Sequence, residues 1–280
     1  MKTVVTLPEL RAARLELAAP VGLAPTMGYL HAGHLSLVRQ ARRECASVVV
    51  SIFVNPTQFG PHEDLGSYPR DLARDLDLLR REDADLVWTP TLEIVYPPDF
   101  QSWVTVGQVA QPLEGSMRPG HFRGVATVVA KLFNVVQPHR AYFGQKDAQQ
   151  AAVIRQMVKD LNFNLELVVC PTQREPDGLA LSSRNVYLNP EERRAATALW
   201  RALSAAQKAY QQGQSQAERL REAMRAVLQA EPLANVEYVS CADPDTMQEI
   251  EGRLEGRQAL LSMAVKIGKT RLIDNLLIGG

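Results

Sequence analysis

The sequence predicts an α/β protein: a doubly wound, Rossmann-like parallel sheet in the N-terminal part, followed by a smaller α+β C-terminal domain. Three observations carry that reading. Short β-rich runs alternate with helix-period segments up to Cys170, the pattern of βαβ units. Ser47–Val54 (SVVVSIFV) is apolar throughout, as strands buried on both faces of a parallel sheet are. After Pro171 the order changes to helices and then strands, which suits an α+β unit.

The elements follow in order. Val21–Ala24 predicts a short strand, and Pro25 and Gly28 mark the turn after it. His34–Glu44 places Leu35, Leu37, Val38 and Ala41 on the apolar side of an amphipathic helix. Asp71–Arg81 predicts a helix, Ala84–Trp88 a strand and Val125–Val136 a core-facing helix. Arg140–Phe143, Ala148–Leu161 and Leu165–Cys170 give strand, helix and strand. Ligands of such sheets sit at the carboxyl ends of strands, where the strand order reverses. Glu191–Tyr210 and Ala217–Ala230 predict two long helices joined by the polar Gln211–Gln216 stretch. Val236–Cys241, Ala259–Ile267 and Arg271–Ile278 predict strands. The change of texture places a boundary near residue 172, giving domains 1–172 and 173–280.

Bulk properties narrow the function classes. Apolar residues make up 46% and charged residues 22% of 280, a globular rather than disordered balance. Lys plus Arg and Asp plus Glu are 31 each. That balance disfavours a nucleic-acid partner, whose phosphates call for a basic excess. It still allows a local basic pocket for a small anion. Cys45, Cys170 and Cys241 lie far apart, so neither a zinc site nor a disulfide framework is expected, and a cytoplasmic setting is. Charges run through Met1–Leu17, which argues against a secretory leader. No long uncharged apolar run predicts a membrane span.

The chemistry gathers in loops that follow strands. Pro25–His34 reads PTMGYLHAGH, two histidines three apart opening a predicted helix. A helix N-terminus attracts phosphate, and imidazoles there donate hydrogen bonds or carry charge near neutral pH. Gly33 lets backbone approach a ligand. The bland alternative makes His31 and His34 turn and cap residues. Ser51–Gly60 (SIFVNPTQFG) ends a strand in Asn55 and Gln58, carboxamides that can hold a small polar substrate or simply form an Asn-Pro turn. Phe143–Gln150 (FGQKDAQQ) sets Lys146 at a helix start as a compact phosphate-reaching cation, with Asp147 as N-cap. Leu181–Asn185 (LSSRN) offers two hydroxyls and a guanidinium to a triphosphate, or caps the next helix.

Together PTMGYLHAGH, SIFVNPTQFG, EGSMRPGHFRGV, YFGQKDAQQ and DGLALSSRN closely resemble the pantothenate synthetase family, the pantoate–β-alanine ligases. The HxGH element is that of the nucleotidyltransferase superfamily, and Thr270–Asn275 (TRLIDN) is similar to the family's last strand. The resemblance implies ATP as co-substrate with Mg2+. Pantoate and ATP give a pantoyl adenylate and pyrophosphate; β-alanine then displaces AMP. It implies catalytic roles for His31, His34, Lys146 and Arg184. It implies an ATP site built from Met27, Gly28, Tyr29, Leu30, His31, Ala32, Gly33 and His34, from Gly144, Gln145, Lys146 and Asp147, from Gln173, and from Leu181, Ser182, Ser183 and Arg184. It implies that Gln58 and Gln150 hold pantoate, with Gln58 beside the amine and Asn55 a neighbour, and that Asp75 is a magnesium ligand. Gln145 stands where many relatives have glutamate. The family is typically homodimeric.

The polar, glycine-flanked Gly60–Ser67 stretch is the candidate lid that keeps water from the adenylate. The nearest rival is a cofactor adenylyltransferase, which would share the HxGH loop without the FVNPTQF and KDAQQ pair. A nucleotide-binding regulator is the rival from another class. A tRNA synthetase is disfavoured by the chain's size and neutral charge.

Overall fold

The structure, a computed structural model, describes residues 1–61 and 63–279. Six parallel strands form the first sheet: β1 (Lys2–Val4), β2 (Val21–Thr26), β3 (Ser47–Ile52), β4 (Leu86–Trp88), β5 (Arg140–Gly144) and β6 (Glu166–Cys170). Their order is β1-β4-β3-β2-β5-β6. The chain leaves β2 for β3 on one side and later returns to β5 on the other. The carboxyl end of β2 is therefore the switch point of the sheet, where a crevice must open.

Helices cover both faces. α1 (Leu7–Leu15) and α6 (His121–Val136) lie over one core with Leu23, Val49 and Phe143; α2 (Ala32–Glu44) and α3 (Leu72–Arg81) lie over the other with Val48, Val50 and Tyr142. This is the architecture expected from the sequence. The sequence reading passes over β1 and α1. The charges of α1 sit on its outer face, and a capping box between Thr6 and Glu9 starts it. Two one-turn helices, α4 (Leu92–Val95) and α5 (Glu114–Met117), are too short to show periodicity. α6 begins at His121, four residues before the expected Val125, with Gly120 in the left-handed region (φ 86°) just ahead of it. α7 (Ala148–Asp160) leads from β5 into β6.

The remaining chain builds a second body. α8 (Pro190–Ala195), α9 (Ala198–Gln211) and α10 (Ala217–Gln229) precede an antiparallel sheet of β7 (Ala234–Ala242), β8 (Ala259–Ile267) and β9 (Thr270–Ile278). The long helix expected over Glu191–Tyr210 is interrupted at Ala196–Thr197. There the Thr197 hydroxyl donates to the Arg194 carbonyl (2.7 Å), the kind of local bond that competes with the helical ladder. One face of the small sheet packs on α9 and α10. Leu260 and Leu277 on its other face meet Ala152 and Val153 of α7, which joins the two bodies.

Candidate active site

The crevice at the switch point is a cleft with about 1420 Å3 of empty space, open mouth included. Four expected segments line it: Met27, His31, Gly33 and His34 after β2; Asn55 and Gln58 after β3; Gly144, Lys146, Asp147 and Gln150 after β5; Gln173, Leu181, Ser182, Ser183 and Arg184 beyond β6. The structure thus brings His34, Lys146 and Arg184 to one cavity. Gly28, Tyr29, Leu30, Ala32, Gln145 and Asp75 do not line it.

The histidine loop is fixed from behind. Asp75, on α3, is 1% exposed, and its two oxygens accept from the Tyr29 N–H (2.6 Å) and the Leu30 N–H (2.7 Å). These bonds hold Tyr29 in the left-handed region (φ 51°), which a non-glycine residue adopts only when its surroundings impose it. Burial pushes the Asp75 carboxyl above its ordinary range, with the two N–H groups opposing. The geometry thus makes Asp75 a brace for the histidine loop, set behind the cleft lining. Among the described residues no group of three or more His, Cys, Asp or Glu side chains could hold a metal ion.

His31 caps α2. Its Nδ1 accepts from the Gly33 N–H (3.1 Å), and His34 Nδ1 accepts from the His31 N–H (3.3 Å). With Nδ1 a lone pair in both rings, the neutral proton sits on Nε2, free to donate. The rings lie 4.1 Å apart, centre to centre. Burial and then Lys146 push His31 down to about 4; burial, then His31 and Lys146, push His34 down to about 3. Both imidazoles are therefore neutral at pH 7. Of the two expected properties, hydrogen-bond donation and charge near neutral pH, the folded environment leaves the first: both rings offer a neutral N–H beside Lys146. A Cβ on Gly33 would come within 2.8 Å of the His31 ring, so glycine here protects the cap as well as the approach of a ligand.

Lys146 sits in a single 3-10 turn (Gln145–Asp147) ahead of α7. Asp147 makes no capping bond, contrary to expectation; its carboxylate lies 3.8 Å from Lys146 Nζ. Gln145 points away from the cleft and donates to Asn275 Oδ1 of β9 (3.1 Å). Ser182 Oγ accepts from the Arg184 N–H (3.3 Å), and Ser183 Oγ donates to the Tyr29 carbonyl (3.3 Å). That last bond docks the SSR loop on the histidine loop.

Asn55 is 1% exposed and faces inward. Its Nδ2 donates to Gln58 Oε1 (3.0 Å) and to the Gly124 carbonyl (3.2 Å). It acts by holding Gln58. Gly124 is needed at that crossing, since a Cβ would lie 2.3 Å from the Thr57 carbonyl oxygen.

The sequence reading gives no role to the other end of the cleft. Arg118 and His121 line it. Arg118 Nη1 meets His121 Nε2 (3.1 Å), and His121 Nδ1 donates to the Gln58 carbonyl (2.8 Å). Behind them Glu114 accepts from Arg271 (2.7 and 2.8 Å) and from the Tyr238 hydroxyl (2.9 Å), both on the C-terminal sheet. Burial raises Glu114, but the Arg271 and Arg118 guanidiniums outweigh it and hold its carboxyl below the usual range. A signal is present in the sequence: Glu114, Arg118 and His121 are spaced four and three apart in EGSMRPGHFRGV, near enough to share a face.

Two arginines of the cleft are clasped by the candidate lid. Asp64 takes Arg184 in a two-pronged pair (2.8 and 2.9 Å), and Glu63 takes Arg118 likewise (2.6 and 2.7 Å). The lid segment's His62 lies outside the described residues.

The family profile described as pantoate-beta-alanine ligase matches residues 2–277. A pantothenate synthetase of Roseiflexus castenholzii is 62% identical over 99% of each chain. The crystal structure of pantothenate synthetase from Thermus thermophilus superposes with a TM-score of 0.94 at 51% identity, covering 99% of each chain. That of a Francisella tularensis pantoate-beta-alanine ligase complexed with beta-gamma ATP and beta-alanine gives 0.82 at 35% identity, over 99% of this chain and 97% of that one.

Proposed function

We propose, from the premise that this chain belongs to the pantoate–β-alanine ligase family and joins pantoate to β-alanine, that it does so in two stages within the one cleft. ATP first transfers AMP to the pantoate carboxylate, releasing pyrophosphate. The β-alanine amine then attacks the acyl carbon, giving pantothenate and AMP. The observation that carries this reading is that His31, His34, Lys146, Ser182, Ser183 and Arg184, from three separated loops, face one cavity with Gln58 and Gln150.

Each group has a task in the first stage. A carboxylate must approach an anionic α-phosphate, and Lys146 and Arg184 offset that repulsion. His31 and His34 donate Nε2–H bonds to phosphate oxygens, and burial keeps both imidazoles neutral at pH 7 before the phosphates arrive. Gln58, held by Asn55, and Gln150 orient pantoate, so that attack becomes effectively intramolecular. The ATP complex of the Francisella relative supports ATP as the co-substrate here. Asp75 braces the loop through two backbone N–H groups, so Mg2+, where bound, would be held mainly by the phosphates of ATP and would offset their charge.

Residues 1–172 then carry the phosphate- and acid-facing loops, and residues 173–280 carry the SSR clamp. We place the enzyme in the cytoplasm as a homodimer, which sedimentation of the purified protein tests. The test of the chemistry is pyrophosphate release from ATP and magnesium with and without pantoate, followed by β-alanine. Release that needs pantoate, with AMP on adding β-alanine, is expected. Release that needs β-alanine from the outset would rule out the free-standing adenylation stage.

A further inference from the structure

Asn275 of β9 joins the C-terminal sheet to the loop that carries Lys146. It is 5% exposed and lies against the 3-10 turn Gln145–Asp147. Its Nδ2 donates to two consecutive carbonyls of that turn, those of Gln145 (3.0 Å) and Lys146 (2.8 Å). Its Oδ1 accepts from Gln145 Nε2 (3.1 Å). The Gln145 carbonyl belongs to the peptide unit before the Lys146 Cα, and the Lys146 carbonyl to the unit after it. Each unit is planar, so the only torsions between them are the φ and ψ of Lys146. One amide group that grips both planes fixes those torsions, and with them the direction in which the lysine side chain leaves the backbone.

The turn has little to hold it from within. A single 3-10 turn has poorer hydrogen-bond geometry than an α-helix, and no side chain caps it or the start of α7. The four-carbon stem of a lysine is flexible, so the anchoring of its backbone decides where its charge can reach. Asn275 is a firm anchor. Its N–H donates to Asp274 Oδ1 (2.8 Å), and its carbonyl accepts from Arg174 Nη2 (3.3 Å). Arg174 in turn grips the Asp274 carboxylate with both nitrogens (2.6 and 2.8 Å) and lies over the Trp200 ring (4.0 Å). Arg174 pairs with Ala180 across a short antiparallel bridge, and the chain runs from there directly into Leu181–Arg184. Lys146 and the SSR loop, far apart in sequence, thus trace back to neighbouring residues of one strand.

The functional step rests on the two-stage reading above, in which Lys146 faces the phosphates of ATP. We propose that Asn275 is a positioning residue of the ligation. It does not line the cleft and acts by setting the backbone of Lys146, so that Lys146 and the SSR loop stand in a fixed relation across the triphosphate.

A double-mutant cycle in the intact enzyme tests this, read by pantoate-dependent ATP–pyrophosphate exchange. Asn275→Ala alone is expected to lower the rate about tenfold or more, since a displacement of about 1 Å caused away from the chemistry can cost roughly 100-fold. In a Lys146→Ala background the same substitution is expected to cost less than about twofold, because no side chain is left to aim. A residue that only held the fold together would cost the same factor in both backgrounds. Two results overturn the proposal: a folded Asn275→Ala enzyme whose exchange stays within about twofold of the unaltered one, or an equal loss in both backgrounds. Should Asn275→Ala not fold, Asn275→Ser decides on the same criteria, since it keeps a polar group on the strand but is too short to span both carbonyls. Failure of the two-stage reading shows separately, as a lack of pantoate-dependent exchange in the unaltered enzyme, and the cycle is then read in overall ligation.

Discussion

The two ends of the cleft present donors to anions by different means. At the histidine end everything is fixed in advance: Asp75 pins the loop through two backbone N–H groups, and each imidazole is locked by an N–H at its Nδ1. At the arginine end the guanidiniums are already engaged by carboxylates of one loop, Asp64 on Arg184 and Glu63 on Arg118. The first end is set in advance, and the second would have to trade partners to take an anion. A partly buried arginine without a counter-ion gives up hydration that nothing replaces, whereas a neutral imidazole can wait unpaired on one nitrogen. Permanent charge needs a stand-in; a neutral donor does not.

Four measurements break or sharpen that contrast. Lys146→Ala removes the fixed cation beside the imidazoles, and a loss of roughly 100-fold or more in pantoate-dependent exchange is expected; near-normal turnover in a folded variant would sink its role. Asp75→Asn keeps the size of the brace but leaves one oxygen to accept where two did, so one of the Tyr29 and Leu30 N–H groups loses its partner. Exchange should fall roughly tenfold, the scale of one hydrogen bond to a charged group, with no change in the magnesium concentration giving half-maximal rate. A shift in that concentration would restore Asp75 as a metal ligand. Gln150→Ala should chiefly raise the KM for pantoate, and an unaltered pantoate KM would remove it from the acid's site. Asp64→Asn frees Arg184 and should lower the KM for ATP by a few-fold, since a surface-accessible pair of this kind is worth about a kcal/mol or less. A higher KM would mean that Asp64 orients the arginine instead of competing for it.

Acid should report on the fixed end. His31 and His121 are held down near 4 and His34 near 3, chiefly by burial. An unfolded histidine titrates near 6.5, so between about 6.5 and 4 the unfolded chain takes up protons that the folded one refuses. Stability is therefore complete above the unfolded value and is lost as pH falls through that window. The melting temperature is expected to drop on acidification, and His34→Gln should flatten the drop.

Much of this is legible in the primary structure. The β-branched runs announce the central strands, and loops after β2 and β5 reach the cleft because a parallel sheet puts strand ends together. What escapes is set by contacts distant in sequence. Asp75 reads as an ordinary helical acid, and only the fold places Tyr29 and Leu30 against it. Arg118 and His121 have the spacing of a shared face, but Arg271, 153 positions beyond Arg118 (271 − 118), is what gives that face its charge balance. The inward turn of Asn55 likewise depends on Gly124 allowing α6 close to the loop.

The line of contacts from Arg271 and Tyr238 through Glu114, Arg118 and His121 to the Gln58 carbonyl crosses the seam between the two bodies. Severing the chain at residue 172 would thus leave the buried Glu114 carboxylate with Arg118 as its one remaining cation, without its two-pronged bond to Arg271 and its bond from Tyr238. Each half could keep its own hydrophobic interior and still be chemically incomplete. Pieces of this protein exchanged with those of a relative should work only when Glu114 and Arg271 travel as a pair.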